Sequence, residues 1–572
     1  MKYLDFRSEY DKFPKTRIFG YTDQVWSRVS QIADKIQKMT GVIAMETYPG
    51  VMISDIESTI LSQLQGYDII HIEKCRKPLK ALARLLDPLL TDDRVFGMMN
   101  TLMIEDLYDM DAIAKIKRQC MNTSRNTIII GFGASMIPYD HLLYFDITRW
   151  EIQLRFRQGM ANFTADNPGE DPLRKFKRGY FVEWRIADRI KKSHLSHSDY
   201  IIDAHRVGSY TMITQEAWQH GLNRLSQQPF RLIPYFDPGV WGGDWMQEVC
   251  GLDDNKLNYA WAFDGVPEEN ALCLQFDDAL FEFPAINLVF FRPIELLGKR
   301  VFERFGTEYP IRFDFLDTMN GGNLSLQVHP LPKYIRDTFG MDYTQDESYY
   351  ILDAGPDSVV YLGLKEGVKP EALISDLEKA NRGQGGFDDE KYINRFPAKK
   401  HDHFLIPAGT IHCSGKDTMV LEISSTPYIF TFKLWDWDRL GLDGLPRPVH
   451  INHGKEVIQY DRTTSWVQEN LINRFEKISE IEEKTGLHEL EFIETRRFTF
   501  MDKITVKTHE SFAQCNLISG RAAIITSENG SFAPFEVHYA ETFVIPETIK
   551  RFSIAPKYPG DTCMLIQAFV RS

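Results

Sequence analysis

NLSLQVHP (323–330), QDESYYILDAG (345–355) and HFLIPAGTIHCSG (403–415) are the passages whose reading decides the fold, and KLWDWDRLGLDGLPRPVH (433–450) closes the region they define. Each of the first three reads as a β-strand with metal-ligand side chains near its ends. Gln327 and His329 are two residues apart, so on a strand both face the same way. Glu347 opens the next apolar run and reaches the same point if the strands pair. His412 follows a Pro-Ala-Gly-Thr-Ile turn that swings an imidazole back toward them. One amide oxygen, two imidazoles and one carboxylate suit zinc or another borderline divalent cation. A set without thiolate, with room for water or substrate, fits a catalytic site better than a closed structural one. A lone histidine in an apolar strand is more often a packed core residue, so on the residues alone packing and ligation both stay open.

Pro407-Ala-Gly followed at 412 by His, and Gln327-Val-His329-Pro, resemble the metal-binding signatures of the cupin fold. More narrowly, LSLQVHP, ESYYILDA, FLIPAGTIH and DRLGLDGLPRPVH resemble the type I phosphomannose isomerases, over about 230–572 and in the family's order. The resemblance implies that Gln327, His329, Glu347 and His412 hold zinc, and that Arg439, standing before Leu440-Gly441-Leu442, is the catalytic arginine. It implies a double cupin, a β-sandwich of the jelly-roll kind, whose second copy lacks the metal. The implied reaction is aldose–ketose isomerisation of mannose 6-phosphate and fructose 6-phosphate, or of a related sugar, through an enediol.

Arginine stays charged near neutrality, so Arg439 would stabilise the enediolate oxyanion. Asp436 accepts a proton, orients Arg439 or satisfies a loop. Ser325, Arg312 and Arg447 are the substrate-binding candidates, with Arg447 equally suited to a structural ion pair. The chain departs from the family at Asp314 and Gln345, where lysines near the sugar phosphate are the rule, and at Tyr259, where the family has Glu. A phosphate facing Asp314 is repelled, and Arg312, two residues away on the same face, is the substitute cation. His401 and His403 offer partners behind the metal. Trp241-Gly242-Gly243 matches the family's opening turn, and Gly243 suits a left-handed residue.

The whole chain of 572 residues is too long for one core. Its net charge of −14, with no lysine–arginine tail, argues against nucleic acid as a global partner. Seven scattered cysteines without a C-x-x-C pair point to reduced thiols and a cytoplasmic location. MKYLDFRSEYDKF has no apolar signal core, and no apolar run approaches membrane-spanning length, so neither secretion nor a membrane is expected.

Residues 1–228 read as strands alternating with helices. GVIAME (41–46), DIIHIE (68–73), TIIIGFG (127–133), LLYFDI (142–147) and DYIIDA (199–204) are the strands, with helices at 76–86, 110–121 and from an Asp23 cap to Ile36. That alternation predicts a doubly wound parallel sheet. The order of strand, turn and helix, with RGYFVEWRIADRIK (178–191), weakly resembles a P-loop kinase of the nucleoside or uridine type. After GVIAME, however, TYPGVMIS lacks G-x-x-x-x-G-K-S/T, so the module is degenerate. Arg155, Arg157, Arg174, Lys175, Lys177 and Arg178 form a solvated face or a remnant anion lid.

The expected organisation is therefore α/β plus all-β: a degenerate kinase-like domain (1–228), a metal-binding cupin (229–462) and a metal-free cupin-like domain (463–572). Within it, 365–395 reads as a partly helical insertion, 472–486 as a helix or linker, and 497–570 as short antiparallel strands. The partner is a small sugar phosphate, and the oligomeric state is left open. The competing reading is a non-catalytic cupin that senses a sugar or sugar phosphate. A cupin oxygenase ranks last, because its ligand set is richer in histidine.

Overall fold

The computed structural model describes every residue except 1, 427, 429, 445, 446, 487 and 572. The protein is mixed α/β with several sheets. It divides into two units: Lys15–Leu225 with Pro267–Arg292, and Met1–Pro14 with Ser226–Val266 and Pro293–Ser572. Residues 267–292, expected within the middle domain, fold with the first unit instead.

In that first unit the apolar runs form the predicted parallel ladder. The order is Tyr67–His71, Asn126–Gly131, Val42–Thr47, His141–Asp146, Tyr200–Arg206. Ser209–Thr214 and Val25–Trp26 extend it in antiparallel fashion, which the sequence reading did not foresee. Val25 and Trp26 therefore leave the expected helix, which begins at Val29 with Arg28 as its cap; Asp23 lies in a short turn, Thr22–Gln24.

Among the described residues no phosphate cradle follows the Val42–Thr47 strand. Gly50 has φ +112°, and the Ile152 side chain occupies the space beside it. The Gly131-x-Gly133 turn is filled from within: Glu46 accepts the Gly133 and Ser135 amides, each at 2.7 Å. Beyond the strand ends, Tyr48 donates to Asp188 at 2.9 Å, Arg149 pairs with Asp188 at 2.6 Å and Lys191 with Asp146 at 2.8 Å.

The basic cluster is neither a lid nor a solvated face throughout. Lys175 donates to the carbonyls of Phe156, Met160 and Pro168, Lys177 to that of Leu90, and Arg155 to those of Gly50, Ala204 and His205. Buried cations here satisfy carbonyls that would otherwise lack donors.

The second unit holds two antiparallel two-sheet lobes. In the first, a six-stranded sheet runs His403–Ile406, Asp346–Ala354, Thr418–Ser425, Arg312–Asp317, Trp261–Gly265, Tyr235–Asp237. A five-stranded sheet runs Ile393–Pro397, Val359–Leu364, His412–Ser414, Leu326–Val328, Phe432–Trp435. The insertion contributes the helix Pro370–Asn381, a short helix Asp389–Tyr392 and the edge strand Ile393–Pro397.

The second lobe pairs a six-stranded with a four-stranded sheet. Phe498, Cys515, Leu517, Ile525, Phe543 and Phe552 fill the core between them. Residues 472–486 contribute the strands Glu476–Lys477 and Glu482–Gly486 rather than a helix, because this stretch pairs with Ile493–Phe500.

His403 is fully buried and packs edge-on against Tyr350 at 5.4 Å. Burial, aided by Arg497, pushes its pKa down to about 3. The unfolded chain, with an ordinary imidazole near pH 6.5, binds the proton first. This contribution to stability is complete above pH 6.5 and is lost as pH falls through the window below it, at up to ~1.4 kcal/mol per pH unit. Denaturant titrations at pH 7 and pH 5 should show this slope in the native chain and a shallower one in His403→Phe.

Candidate metal centre

Strand register brings the predicted ligands together. Gln327 stands opposite His412 in the five-stranded sheet. His329, two residues on, shares the face of Gln327. Glu347 faces them from the six-stranded sheet. His329 Nε2 lies 3.0 Å from Glu347 Oε2, His412 Nε2 lies 2.7 Å from Glu347 Oε1, and Gln327 Nε2 lies 3.2 Å from His412 Nε2. The side chains of His329, Glu347 and His412 have no exposed surface.

Each imidazole has one nitrogen committed elsewhere. His329 Nδ1 meets the Phe430 carbonyl and His412 Nδ1 the Thr410 carbonyl, both at 2.9 Å. Donation from Nδ1 leaves each Nε2 with a lone pair directed at the cluster. Rotating the Gln327 amide by half a turn presents its oxygen in the same place. His329 Nε2 and Glu347 Oε1 make no aligned hydrogen bond despite these short contacts, as expected of donors aimed at a common point. His329, Glu347 and His412 can therefore hold a metal ion.

Burial disfavours charge on Glu347, but His329 and His412 override it and hold the carboxylate well below the usual range. Burial likewise opposes a proton on His329, and Glu347 outweighs it and raises the pKa.

The turn that delivers His412 is braced from three sides. Ala408 N donates to Asp346 Oδ1 at 2.8 Å and Gly409 N to the His329 carbonyl at 2.9 Å. Arg462 Nη1 donates to the Pro407 and Ala408 carbonyls, each at 2.7 Å, and to Thr410 Oγ1. Gly409 has φ +88°, and a Cβ there would sit 2.9 Å from the Val457 carbonyl.

The six-stranded sheet presents a polar inner face. Glu347, Ser424 and Arg312 stand in one row of register, and Tyr349, Glu422 and Asp314 in the next. Gln345 Nε2 donates to Glu347 Oε2 at 2.9 Å. Tyr349 and Glu422, one row further along the same face, feel the Glu347 charge, which helps to raise both their pKa values. Burial pushes the Asp314 and Glu422 carboxyls up, and neighbouring carboxylates add to it. Glu422, Asp346 and Arg462 were missed in the sequence because each acquires its place only through pairing across strands or a long loop.

Arg312 and Ser325 are buried, at 5% and 2% exposure. Asp436 pairs with Arg439 at 2.6 Å and with Arg447 at 2.9 Å. Gly322 borders the Arg439 guanidinium. Among the described residues Arg439 bonds to Asp436, through its backbone carbonyl and its carboxylate, rather than to the four clustered side chains. His401 and His403 also stay away from them: His401 Nδ1 meets the Tyr350 hydroxyl at 3.1 Å. Cys413 registers with Tyr361 on the opposite face from His412, and burial pushes its thiol up.

A second group, Glu9, Glu536 and His538, is partly exposed, and Lys557 already sits on its carboxylates.

Residues 28–227 match a family described as "Domain of unknown function (DUF8485)", which lends the kinase resemblance no support. Mannose-6-phosphate isomerase ManA of Bacillus subtilis (strain 168) is 23% identical over 305 residues, 53% of this chain and 90% of that protein. Mannose-6-phosphate isomerase of Streptococcus mutans serotype c is 23% identical over 246 residues, 42% of this chain and 72% of that protein. The crystal structure of a mannose 6-phosphate isomerase from Bacillus subtilis aligns over 60% of this chain and 99% of its own, with TM-score 0.49 and 20% identity. The relatives are thus mannose-6-phosphate isomerases at low identity.

Gly243 is required for close approach rather than for a left-handed turn, since it is absent from the positive-φ glycines. A Cβ there would lie 2.1 Å from Asp317 Oδ1 and 2.6 Å from the Met319 backbone. Gly243→Ala should destabilise the protein by roughly 2–3 kcal/mol, read as a lower urea midpoint at unchanged slope.

Proposed function

We propose that this chain is a metal-dependent aldose–ketose isomerase that interconverts mannose 6-phosphate and fructose 6-phosphate, or a related sugar. The observation that carries the reading is the convergence of His329, Glu347 and His412 from two facing sheets, with both imidazole Nε2 atoms directed inward. Gln327, His329, Glu347 and His412 would hold zinc or another divalent cation in a cupin lobe; the following lobe is a metal-free cupin. When bound, the cation polarises the carbonyl and hydroxyl oxygens of an open-chain sugar.

The chain's own residues do the rest. Arg439 stabilises the negative charge that develops on the enediolate oxygen. Asp436 orients Arg439 through their ion pair and shares its other oxygen with Arg447, so it is not the free base. The Asp314–Glu422 carboxyl pair bordering Glu347, both pushed up by burial, is the group we assign to moving the proton between C1 and C2. Ser325, Arg312 and Arg447 contact the substrate. All seven cysteines are free and buried, which supports a reducing, cytoplasmic setting. No helix among the described residues is long and apolar enough to cross a membrane.

Asp314 on the inner face favours a second reading, in which the lobe binds a sugar without converting it. Metal analysis and a coupled isomerase assay separate the two. The isomerase reading expects about one divalent ion per chain, its loss in Glu347→Gln, and a fall of about 10²–10³-fold in kcat for Arg439→Ala at unchanged metal content. Sugar binding without turnover in the metal-loaded native chain would establish the sensor instead.

A further inference from the structure

We propose that Lys433 is the cation that receives the anionic group of the substrate, a phosphomonoester on a sugar; this rests on the isomerase reading of the same lobe. Lys433 lies in Phe432–Trp435, the strand that pairs with Leu326–Val328 on the side away from His412. The register sets Lys433 directly opposite Gln327. Gln327 is thus flanked by His412 on one side and Lys433 on the other.

Its neighbours along the strand fix the direction of its side chain. Phe432 stacks on His453 with ring centroids 5.0 Å apart. Leu434 lies against Gly454, where an added Cβ would come within 2.5 Å of Leu434 Cδ2. His453 and Gly454 belong to one short helix, Ile451–Gly454. Both apolar side chains therefore use the helix-facing side of the sheet. Alternation turns Lys433 to the other side, the one that Gln327 and His329 use. Directly opposed residues have Cβ atoms about 5 Å apart, and a lysine stem adds further reach.

The charge on the facing sheet makes this position matter. The rows there carry Glu347, Glu422 and Asp314, against Arg312. A dianion pressed toward that sheet meets carboxylates. On the five-stranded sheet Arg395 registers with Tyr361, on the outward side shared with Cys413. Lys433 is only partly buried, unlike the four clustered side chains. An ammonium there complements a phosphate as a point charge.

The test uses the full-length, metal-loaded chain with Lys433→Met, Lys433→Gln and Lys433→Arg. Steady-state kinetics with mannose 6-phosphate and with mannose are paired with calorimetric binding of inorganic phosphate and of mannose 6-phosphate, and with metal analysis. The expected result for Met and Gln is a fall of roughly 10- to 100-fold in kcat/KM for mannose 6-phosphate relative to mannose, carried by KM. Phosphate binding should weaken in parallel at unchanged metal content, and Lys433→Arg should recover most of both. An equal loss for both sugars carried by kcat, or unaltered phosphate binding, would overturn the assignment. If the native chain binds mannose 6-phosphate without turnover and the Met and Gln variants lose that binding, the isomerase reading fails and Lys433 stands. If the native chain turns over mannose 6-phosphate and the variants match it, Lys433 fails and the isomerase stands. A native chain that binds neither phosphate nor sugar phosphate removes the assignment outright.

Discussion

Glu347 carries a charge inside a sandwich that leaves its side chain no exposed surface, and the first lobe is built around compensating it. An unpaired carboxylate at such a depth costs several kcal/mol. The contacts that offset this cost come from both sheets: His329 and His412 from one, Gln345 from the other. The carboxylate thereby ties two sheets across a gap that apolar side chains fill elsewhere. The second lobe shows the alternative. Its facing sheets enclose Phe498, Leu517, Phe543 and Phe552. One two-sheet lobe thus holds a charge between its sheets and the other an apolar core.

Strand alternation then gives the residue next to Glu347 a separate task. Asp346 faces away, toward a small cavity that Ser348, Glu491 and Thr495 also line. Burial pushes its pKa up to about 6, and the Ala408 amide pulls the other way. One dipeptide thus contributes a donor to the cluster from one face and a brace to the His412 turn from the other. Arg462 completes that brace on the turn's carbonyls. The position of His412 is therefore set in part by Asp346 and Arg462, neither of which needs to touch an ion.

What the sequence made legible follows from the range of the interactions. Gln327 and His329 are readable as a pair because a two-residue spacing is local. Glu347 and His412 became readable through motifs whose turn and strand are also local. Lys433 and Glu422 are not readable in this way, since their facing depends on register against strands about 100 residues earlier. The role of Gly243 was misjudged for the same reason: its demand comes from Met319 passing close by, not from its own φ. Lys175 and Lys177 looked like a charged surface because composition counts charges without showing the carbonyls that will surround them.

The first unit pairs its buried charges in the same way. At the carboxyl ends of a parallel sheet, where open α/β folds receive ligands, this unit places its own ions: Lys191 on Asp146, Arg149 on Asp188, and Glu46 on the Gly133 and Ser135 amides. Asn287 finishes the arrangement by donating to Asp146 Oδ2 at 2.8 Å and lying 3.2 Å from the Lys191 ammonium. Asn287 belongs to 267–292, the excursion that folds with this unit. The excursion also supplies a hairpin, Ala271–Phe276 with Ala279–Pro284, on which Thr16–Arg17 pairs. A chain ending near residue 228 would thus hold a buried Asp146–Lys191 pair lacking one of its hydrogen-bond partners, and a Thr16–Arg17 strand lacking its mate. The expected boundary falls at 228, but the hydrogen bonds of the first unit are not complete until residue 287 is present.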